Sequence, residues 1–122
     1  MYAKGIRLKF SQSLKNNYEF RRLYASGKSA VSPHIAVYKR KNKNGINRLG
    51  LTVGKKVGNA VNRNRVRRRL KEIYRLHEDE FLRGYDIVVV ARVKSRYAAF
   101  GTLEADMLRL FKKLNLTKPD KS

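Results

Sequence analysis

The chain has 122 residues, which is enough for one domain with a hydrophobic core and too few for two. Its 30 Lys and Arg residues against 9 Asp and Glu give a net charge of +21, while 42% of all residues are hydrophobic. This composition excludes an intrinsically disordered chain and predicts a polyanionic partner. The sequence has no cysteine, which excludes disulfides and thiolate metal sites.

The sequence shows no targeting or membrane signal. The N-terminal residues lack the apolar core of a signal peptide, and no run of 18 apolar residues is present. We therefore expect a cytoplasmic protein with no membrane partner. We also expect no small-molecule substrate, because the glycines at positions 50, 54 and 58 miss the spacing of known phosphate-binding loops.

The first predicted helix covers residues 17–26. Asn16 and Glu19 have the spacing of a capping box, and Gly27 fits a helix end. Residues 1–12 before this helix are basic and irregular. We expect them to be flexible, together with residues 116–122 at the other end of the chain.

Two strands are predicted next. Side chains that alternate between the two faces of a strand over residues 34–40 place Ile35 and Val37 on one face and Tyr38 on the other. Residues 29–31 allow an extra short strand before this one.

A polar turn at 41–45 predicts a hairpin with the second strand, residues 48–54. Gly50 and Thr52 leave one face of this second strand shallow, while Leu49, Leu51 and Val53 share the other.

The densest charge lies in a predicted helix over residues 60–79. Its apolar stripe consists of residues at helical spacing: Val66, Leu70, Ile73 and His77. The polar side chains opposite or beside this stripe are Asn64, Arg65, Arg68, Lys71 and Arg75. A folded helix would therefore present a rigid row of arginines, which suit bidentate phosphate contacts. The acidic residues 78–80 oppose the helix dipole, so we expect this end to fray.

A phosphate backbone is the natural ligand of this segment. Residues 51–75 contain nine Lys and Arg against one acid, Glu72. Asn59 or Asn62 can cap the start of the helix, where backbone N–H groups add donors for an anion. The alternative is a solvated surface helix, but charge this unbalanced favours a polyanion.

A continuous apolar run, Ile87 to Val90, predicts a central strand over 86–91 that is buried on both faces. Thr102 is the predicted cap of a last helix. Its apolar residues at helical spacing are Leu103, Met107, Leu110, Phe111 and Leu114. The order α-β-β-α-β-α predicts a single-domain α+β sandwich around a central, mainly antiparallel four-stranded sheet.

Three aromatic residues, Phe20, Tyr24 and Tyr38, allow two interpretations. They are either core residues or the lining of a cleft beside Thr52, where rings stack on unpaired bases and nearby Lys and Arg neutralise phosphates. Catalysis by the protein itself is poorly supported. The acids cluster at 78–80, and the two histidines, His34 and His77, are isolated.

Residues 55–68, KKVGNAVNRNRVRR, closely resemble the signature of the bacterial ribonuclease P protein family. The resemblance extends to residues 18–27, 36–38, 49–53 and 85–88. It implies the protein subunit of an endoribonuclease in which a catalytic RNA removes the 5′ leader of precursor tRNA. Mg²⁺ would be bound mainly by the RNA, with no active-site residue from the protein. A ribosomal protein S5 domain 2-like fold is also implied, with a left-handed βαβ crossover through the basic helix.

The resemblance assigns two RNA contacts. The catalytic RNA would meet the basic helix and the loop before it: Lys55, Lys56, Asn59, Arg63, Asn64, Arg65, Arg67, Arg68, Lys71 and Arg75. The leader of precursor tRNA would lie in a cleft lined by Phe20, Tyr24, Tyr38, Arg40 and Thr52. Tyr24 stands where the family often has Phe, and its hydroxyl can alter base preference.

Two alternatives stay open at this point. A basic ribosomal protein, or another structural RNA-binding protein, shares the size, charge and α/β composition. A protein-only nuclease is disfavoured by the missing carboxylate constellation.

Overall fold

The computed structural model describes residues 8–119. The strands are β1 (Ser11–Ser13), β2 (Lys28–Val31), β3 (Ile35–Lys41), β4 (Asn47–Val53) and β5 (Tyr85–Ala91). The α-helices are α1 (Asn17–Ser26), α2 (Ala60–His77) and α3 (Phe100–Lys113). Short 3₁₀ helices lie at Lys55–Val57, Glu78–Glu80 and Val93–Tyr97. The predicted helix at 17–26 and the extra strand near 29–31 are confirmed.

The strands form one five-stranded mixed sheet in the order β1-β4-β5-β3-β2. The pairs β1–β4 and β4–β5 are parallel, whereas β5–β3 and β3–β2 are antiparallel. The expectation of a mainly antiparallel four-stranded sheet is therefore wrong. It missed β1, a short polar edge strand with no hydrophobic alternation.

The predicted hairpin between β3 and β4 is also wrong, because β5 lies between them. Val89 of β5 is paired with Val37 on one side and Leu51 on the other. The physical reason is the apolar run in β5: Val88 and Val89 are fully buried on opposite faces of the sheet, and such a run is typical of a central strand with helices packed on both faces. The turn after β3 instead crosses the end of β5, where the Asn42 N–H donates to the Gly84 carbonyl at 2.8 Å.

Alternate residues of the sheet face two separate clusters. Ile87 and Val89 belong to the large core shared with α2 and α3, whose biggest buried side chains include Tyr74, Phe81 and Phe111. Val88 belongs to a smaller cluster under α1. The sheet therefore has α2 and α3 on one face and α1 on the other, which confirms an α+β sandwich. The chain passes from β4 through α2 to the parallel strand β5, and the left hand of this crossover stays a prediction.

The acidic end of α2 is ordered rather than frayed. The helix ends at His77, and Glu78 in the following 3₁₀ turn is only 4% exposed. The Glu78 carboxylate accepts the backbone N–H groups of Lys9 and Phe10 at 2.7 and 2.9 Å. These contacts offset the unfavourable helix dipole, and they place residues 8–12 against the domain instead of leaving them irregular.

The C-terminal segment is also packed as far as it is described. Leu116 is fully buried, its carbonyl accepts from the Leu82 N–H at 2.7 Å, and Thr117 bridges Phe81. The expected flexibility of residues 1–7 and 120–122 falls outside the described residues.

Gly27 follows the end of α1 as predicted, and of the predicted N-terminal caps one is confirmed. The Asn59 side chain accepts the Asn62 N–H at 3.0 Å at the start of α2. Asn16 makes no side-chain cap for α1: its backbone carbonyl, not its side chain, accepts the Glu19 N–H, and the Glu19 side chain pairs with Arg48. Thr102 is not a cap: α3 already begins at Phe100, where apolar packing rather than a side-chain hydrogen bond sets the start.

We expect Leu70→Ala to lower the free energy of unfolding by about 2–5 kcal/mol, because Leu70 is fully buried and its loss leaves a cavity. Urea unfolding at constant sulfate concentration measures this change. Leu76→Ala on the same helix is the matched control, since Leu76 is 50% exposed and its truncation should cost about 0.5 kcal/mol or less. Equal losses for both variants would contradict the packing of α2.

Candidate nucleic-acid interface

The outer face of α2 presents the basic residues that the sequence predicted. Packing of Val66, Leu70 and Ile73 into the core fixes which way the helix faces. The residues exposed on the opposite side are Asn64, Arg65 and Arg68. Half-buried along its flanks are Arg63, Arg67, Lys71 and Arg75. We call these seven side chains the arginine row. The predicted stripe is confirmed except for its last member: Tyr74 is buried, and His77 is half-buried.

Two contacts within α2 order the arginine row. The Arg67 guanidinium donates to the Asn64 side-chain oxygen at 2.9 Å. Arg75 Nε donates to the Glu72 carboxylate at 2.6 Å. Because Glu72 offsets the charge of Arg75, the net positive charge is concentrated toward the N-terminal half of the helix.

The turn before α2 extends the arginine row. Val57 is buried and anchors the 3₁₀ turn, while Lys55 and Lys56 are exposed. Gly58 has φ +152°, a conformation that side chains disfavour, and a Cβ there would lie 2.9 Å from Cβ of Asn62. The glycine thus lets the turn approach the first turn of α2 closely. Lysines and arginines predicted from sequence are brought together on one continuous surface.

The aromatic residues lie on the other face of the sheet, beneath and beside α1. The ring centroids of Phe20 and Tyr24 are 6.5 Å apart, and those of Tyr24 and Tyr38 are 5.1 Å apart in an edge-to-face contact. Gly50 makes room for this arrangement, because a Cβ at that position would lie 2.6 Å from Cζ of Phe20. The shallow strand face predicted at Gly50 is therefore occupied by a ring.

The aromatic set lies between core and surface, and its role in RNA binding stays a prediction. Phe20 and Tyr38 are half-buried against the cluster of Leu14, Leu23 and Val88, whereas Tyr24 is 40% exposed. The exposed edge borders an open groove of about 510 Å³, which we call the aromatic groove. Its lining residues are Asn17, Phe20, Arg21, Tyr24, Leu51, Thr52 and Val53.

The hydroxyl of Tyr24 has a partner across the aromatic groove. It forms a 2.8 Å hydrogen bond with the Thr52 hydroxyl, which ties α1 to β4. Arg40 lies outside the groove. It lies two residues after Tyr38 on the same face of β3 and lines a polar cavity of about 250 Å³ together with Arg22, Lys41 and Arg48.

A charged network that sequence reasoning missed holds α1 on the sheet. Arg48 on β4 donates through Nε and Nη2 to the Asp86 carboxylate at 2.8 and 2.7 Å, and Nη2 also contacts Glu19 of α1. The Asn42 amide donates to Asp86 at 2.9 Å. Burial raises the pKa of Asp86, but the hydrogen bonds from Arg48 and Asn42 outweigh it and hold the pKa below its usual value. This network fixes the position of the helix that carries Phe20 and Tyr24.

Both histidines are engaged in pairs with acids. Nδ1 of His34 lies 2.7 Å from Asp106, and the His77 ring lies between Glu80 and Glu104 at 2.6 and 2.8 Å. Within residues 8–119, no group of three or more His, Cys, Asp or Glu side chains is arranged to hold a metal ion. Over the same residues, no helix has the length and apolar character needed to cross a membrane.

An exposed row of arginines on a packed helix, together with an open aromatic groove on the other face of the sheet, places this single-domain α+β protein in the class of RNA-binding proteins. Comparison with known families gives a more specific result. The model of the family described as Ribonuclease P matches residues 8–115. The chain belongs to the ribonuclease P protein family.

Individual relatives agree with this assignment. A protein of Clostridioides difficile named ribonuclease P protein component is 43% identical over 108 residues, which cover 88% of this chain and 95% of the relative. The solved structure of the RNase P protein from Thermotoga maritima has a TM-score of 0.77 at 32% identity and covers 84% of this chain and 96% of that one. The RNase P protein from Staphylococcus aureus has a TM-score of 0.76 at 30% identity, covering 95% and 99%.

Stability should depend on pH through Asp86. Because the folded-state pKa of Asp86 is lowered, its stabilising contribution is present above the unfolded-state pKa and is lost as the pH falls. Asp86→Asn should therefore show a smaller loss of unfolding free energy between about pH 5 and pH 3 than the unchanged protein. Urea unfolding over this pH range tests this, with exposed Asp79→Asn as the matched control. Identical pH dependence for Asp86→Asn and the unchanged protein would contradict the network.

Proposed function

We propose that this chain is the protein subunit of a bacterial ribonuclease P, which binds the catalytic RNA and the 5′ leader of precursor tRNA. In this role it assists endonucleolytic removal of the leader, which gives the mature 5′ end of the tRNA. Family membership supports the proposal. The structural observation that carries it is the arginine row on an ordered helix. A ribosomal protein would share the charge, but the family match favours the ribonuclease P role.

The arginine row is proposed as the contact with the catalytic RNA. The exposed guanidinium groups of Arg65 and Arg68 emerge from one helix, so their spacing is set before RNA binds. Lys55 and Lys56 continue the same charge on the preceding turn. A preformed cationic surface matches a folded RNA better than a flexible basic tail, because less side-chain and backbone entropy is lost on binding.

The aromatic groove is proposed as the site of the leader. An unpaired base can stack on the exposed part of Tyr24, while Arg21 on the groove wall is placed to neutralise a phosphate. The tie between Tyr24 and Thr52 holds the ring in position. The other wall is formed by β4, which ends at Val53, two residues before Lys55. The leader and the catalytic RNA would therefore meet opposite ends of one short segment.

The hydrolysis is proposed to belong to the RNA. The described residues do not fit a protein-held metal centre, so no step is assigned to a metal on this chain. Mg²⁺ bound mainly by the RNA would supply the activation of water and the neutralisation of phosphate charge. The protein would bind, orient and neutralise RNA. We further propose that it acts in the cytoplasm, where precursor tRNA is its substrate.

Replacing both Arg65 and Arg68 with Ala should weaken binding of the catalytic RNA and lower the slope of log affinity against log salt by about two, one for each lost phosphate contact. Filter binding or fluorescence titration over a salt series measures the slope. Lys112→Ala with Lys113→Ala removes the same charge from exposed positions on α3 and serves as the control. The assignment of the arginine row fails if the control pair lowers the slope as much.

Tyr24→Leu should weaken binding of precursor tRNA by the assembled enzyme about 5- to 100-fold, since a stacked base contributes about 1–3 kcal/mol. Binding of mature tRNA, which has no leader, should stay unchanged. Tyr24→Phe keeps the ring and loses only the bond to Thr52, so it should retain most of the affinity. If Tyr24→Leu weakened both RNAs equally, the aromatic groove would not be the leader site.

A further inference from the structure

One prominent surface feature is not used by either proposed contact. Tyr97, in the 3₁₀ turn between β5 and α3, has 77% of its surface exposed, more than any other large hydrophobic side chain among residues 8–119. A tyrosine ring left this open to water contributes little to folding. The turn has no hydrophobic periodicity, so no sequence pattern marks this residue.

The turn that carries Tyr97 is firmly held. Ser95 is buried, and both its N–H and its hydroxyl donate to the Arg92 carbonyl, at 2.9 and 2.6 Å. Directly after Tyr97 in the chain, the Ala98 carbonyl accepts a hydrogen bond from the guanidinium of Arg69 on α2 at 3.1 Å. The exposed ring is therefore presented at a fixed position relative to α2.

Arg96 connects Tyr97 with the start of the arginine row. Its guanidinium carbon lies 5.2 Å from the centroid of the Tyr97 ring, within the range of a cation–π contact. Its Nη1 atom lies 3.4 Å from the place that a Cβ of Gly58 would occupy. The absence of a side chain at Gly58 thus brings the turn, the preceding loop and α2 into one surface.

The charge around Tyr97 indicates the chemistry of its ligand. The two segments that meet here, residues 51–71 and 87–103, contain no Asp or Glu, and the exposed Lys94 and Arg96 lie in the same 3₁₀ turn as Tyr97. An exposed aromatic side chain beside a cation, in segments that carry no acid, suits a ligand that has both a flat π-face and a negative charge. A nucleotide has both. An apolar protein surface would match the ring but would bury the cations without partners.

We propose that Tyr97 and Arg96 form a binding site for an unpaired nucleotide of the catalytic RNA. The base stacks on the open side of the Tyr97 ring, and Arg96 with Lys94 contacts the adjoining phosphate. The contact of this turn with α2 and Gly58 makes the catalytic RNA, rather than the leader, the ligand. This inference rests on the proposed function, because it adds a stacking site to the same RNA interface.

The test compares Tyr97→Leu, Tyr97→Phe and the unchanged protein in titrations of the catalytic RNA over a salt series. Tyr97→Leu should weaken binding about 10-fold through the lost stacking and leave the salt slope unchanged, because no charge is removed. Tyr97→Phe should bind within about 2-fold of the unchanged protein, since the ring remains. Tyr18→Leu, which replaces another exposed tyrosine at 54% exposure, is the matched control and should have no effect. Thermal melting should be unchanged for all three variants.

Chemical probing of the RNA supplies a second measurement. One unpaired base should be protected in the complex with the unchanged protein and become reactive in the complex with Tyr97→Leu. Unchanged affinity of Tyr97→Leu, or an equal loss in Tyr97→Phe, would overturn the proposal. So would a loss confined to precursor tRNA carrying a leader. If instead the unchanged protein failed to bind the catalytic RNA, the proposed function itself would fail.

Discussion

Burial of the apolar side of α2 against the sheet is the interaction on which the rest of the interface depends. Val66, Leu70 and Ile73 are at most 2% exposed, and their packing leaves Arg65 and Arg68 no orientation except outward. A chain with a net charge of +21 repels itself, so the cations stay close together only where packing holds them. The core thereby converts a high density of positive charge into an ordered surface.

The strand β4 joins the two proposed RNA contacts. Thr52 and Val53 form one wall of the aromatic groove, and Lys55 begins the basic turn directly after them. Thr52 and Val53 are paired with Val90 and Ala91 of the interior strand β5, which ties this segment to the sheet. The Arg48 network adds the second constraint, since it holds α1 and its rings against the same strand. In the proposed function the protein would thus act as a rigid connection between two RNA sites.

Local patterns predicted most of the helices and the arginine row. The stripe in α2, the Asn59 cap and the span of α1 follow from side chains close in sequence, which is where periodicity and capping rules apply. Composition alone could not assign one RNA contact to the helix and another to the groove. The family resemblance supplied both assignments as predictions.

What sequence reasoning missed depends on long-range pairing. The place of β5 between β3 and β4 is decided by burial of Val88 and Val89 in the assembled sheet, not by the turn at 41–45. Glu19 fits a capping box locally, yet Arg48 offers it a charged partner from a distant strand. Likewise, the acidic end of α2 is stabilised by backbone donors from residues 9 and 10.

Site-specific photocrosslinking in the assembled enzyme with precursor tRNA tests the central claim most directly. One photoreactive residue would replace Asn64, which is exposed in the arginine row, and another would replace Tyr24 in the aromatic groove. If the protein rigidly connects two RNA sites, position 64 should crosslink to the catalytic RNA and position 24 to the leader of the precursor tRNA. Crosslinks from both positions to the same RNA, or none from position 64, would contradict it.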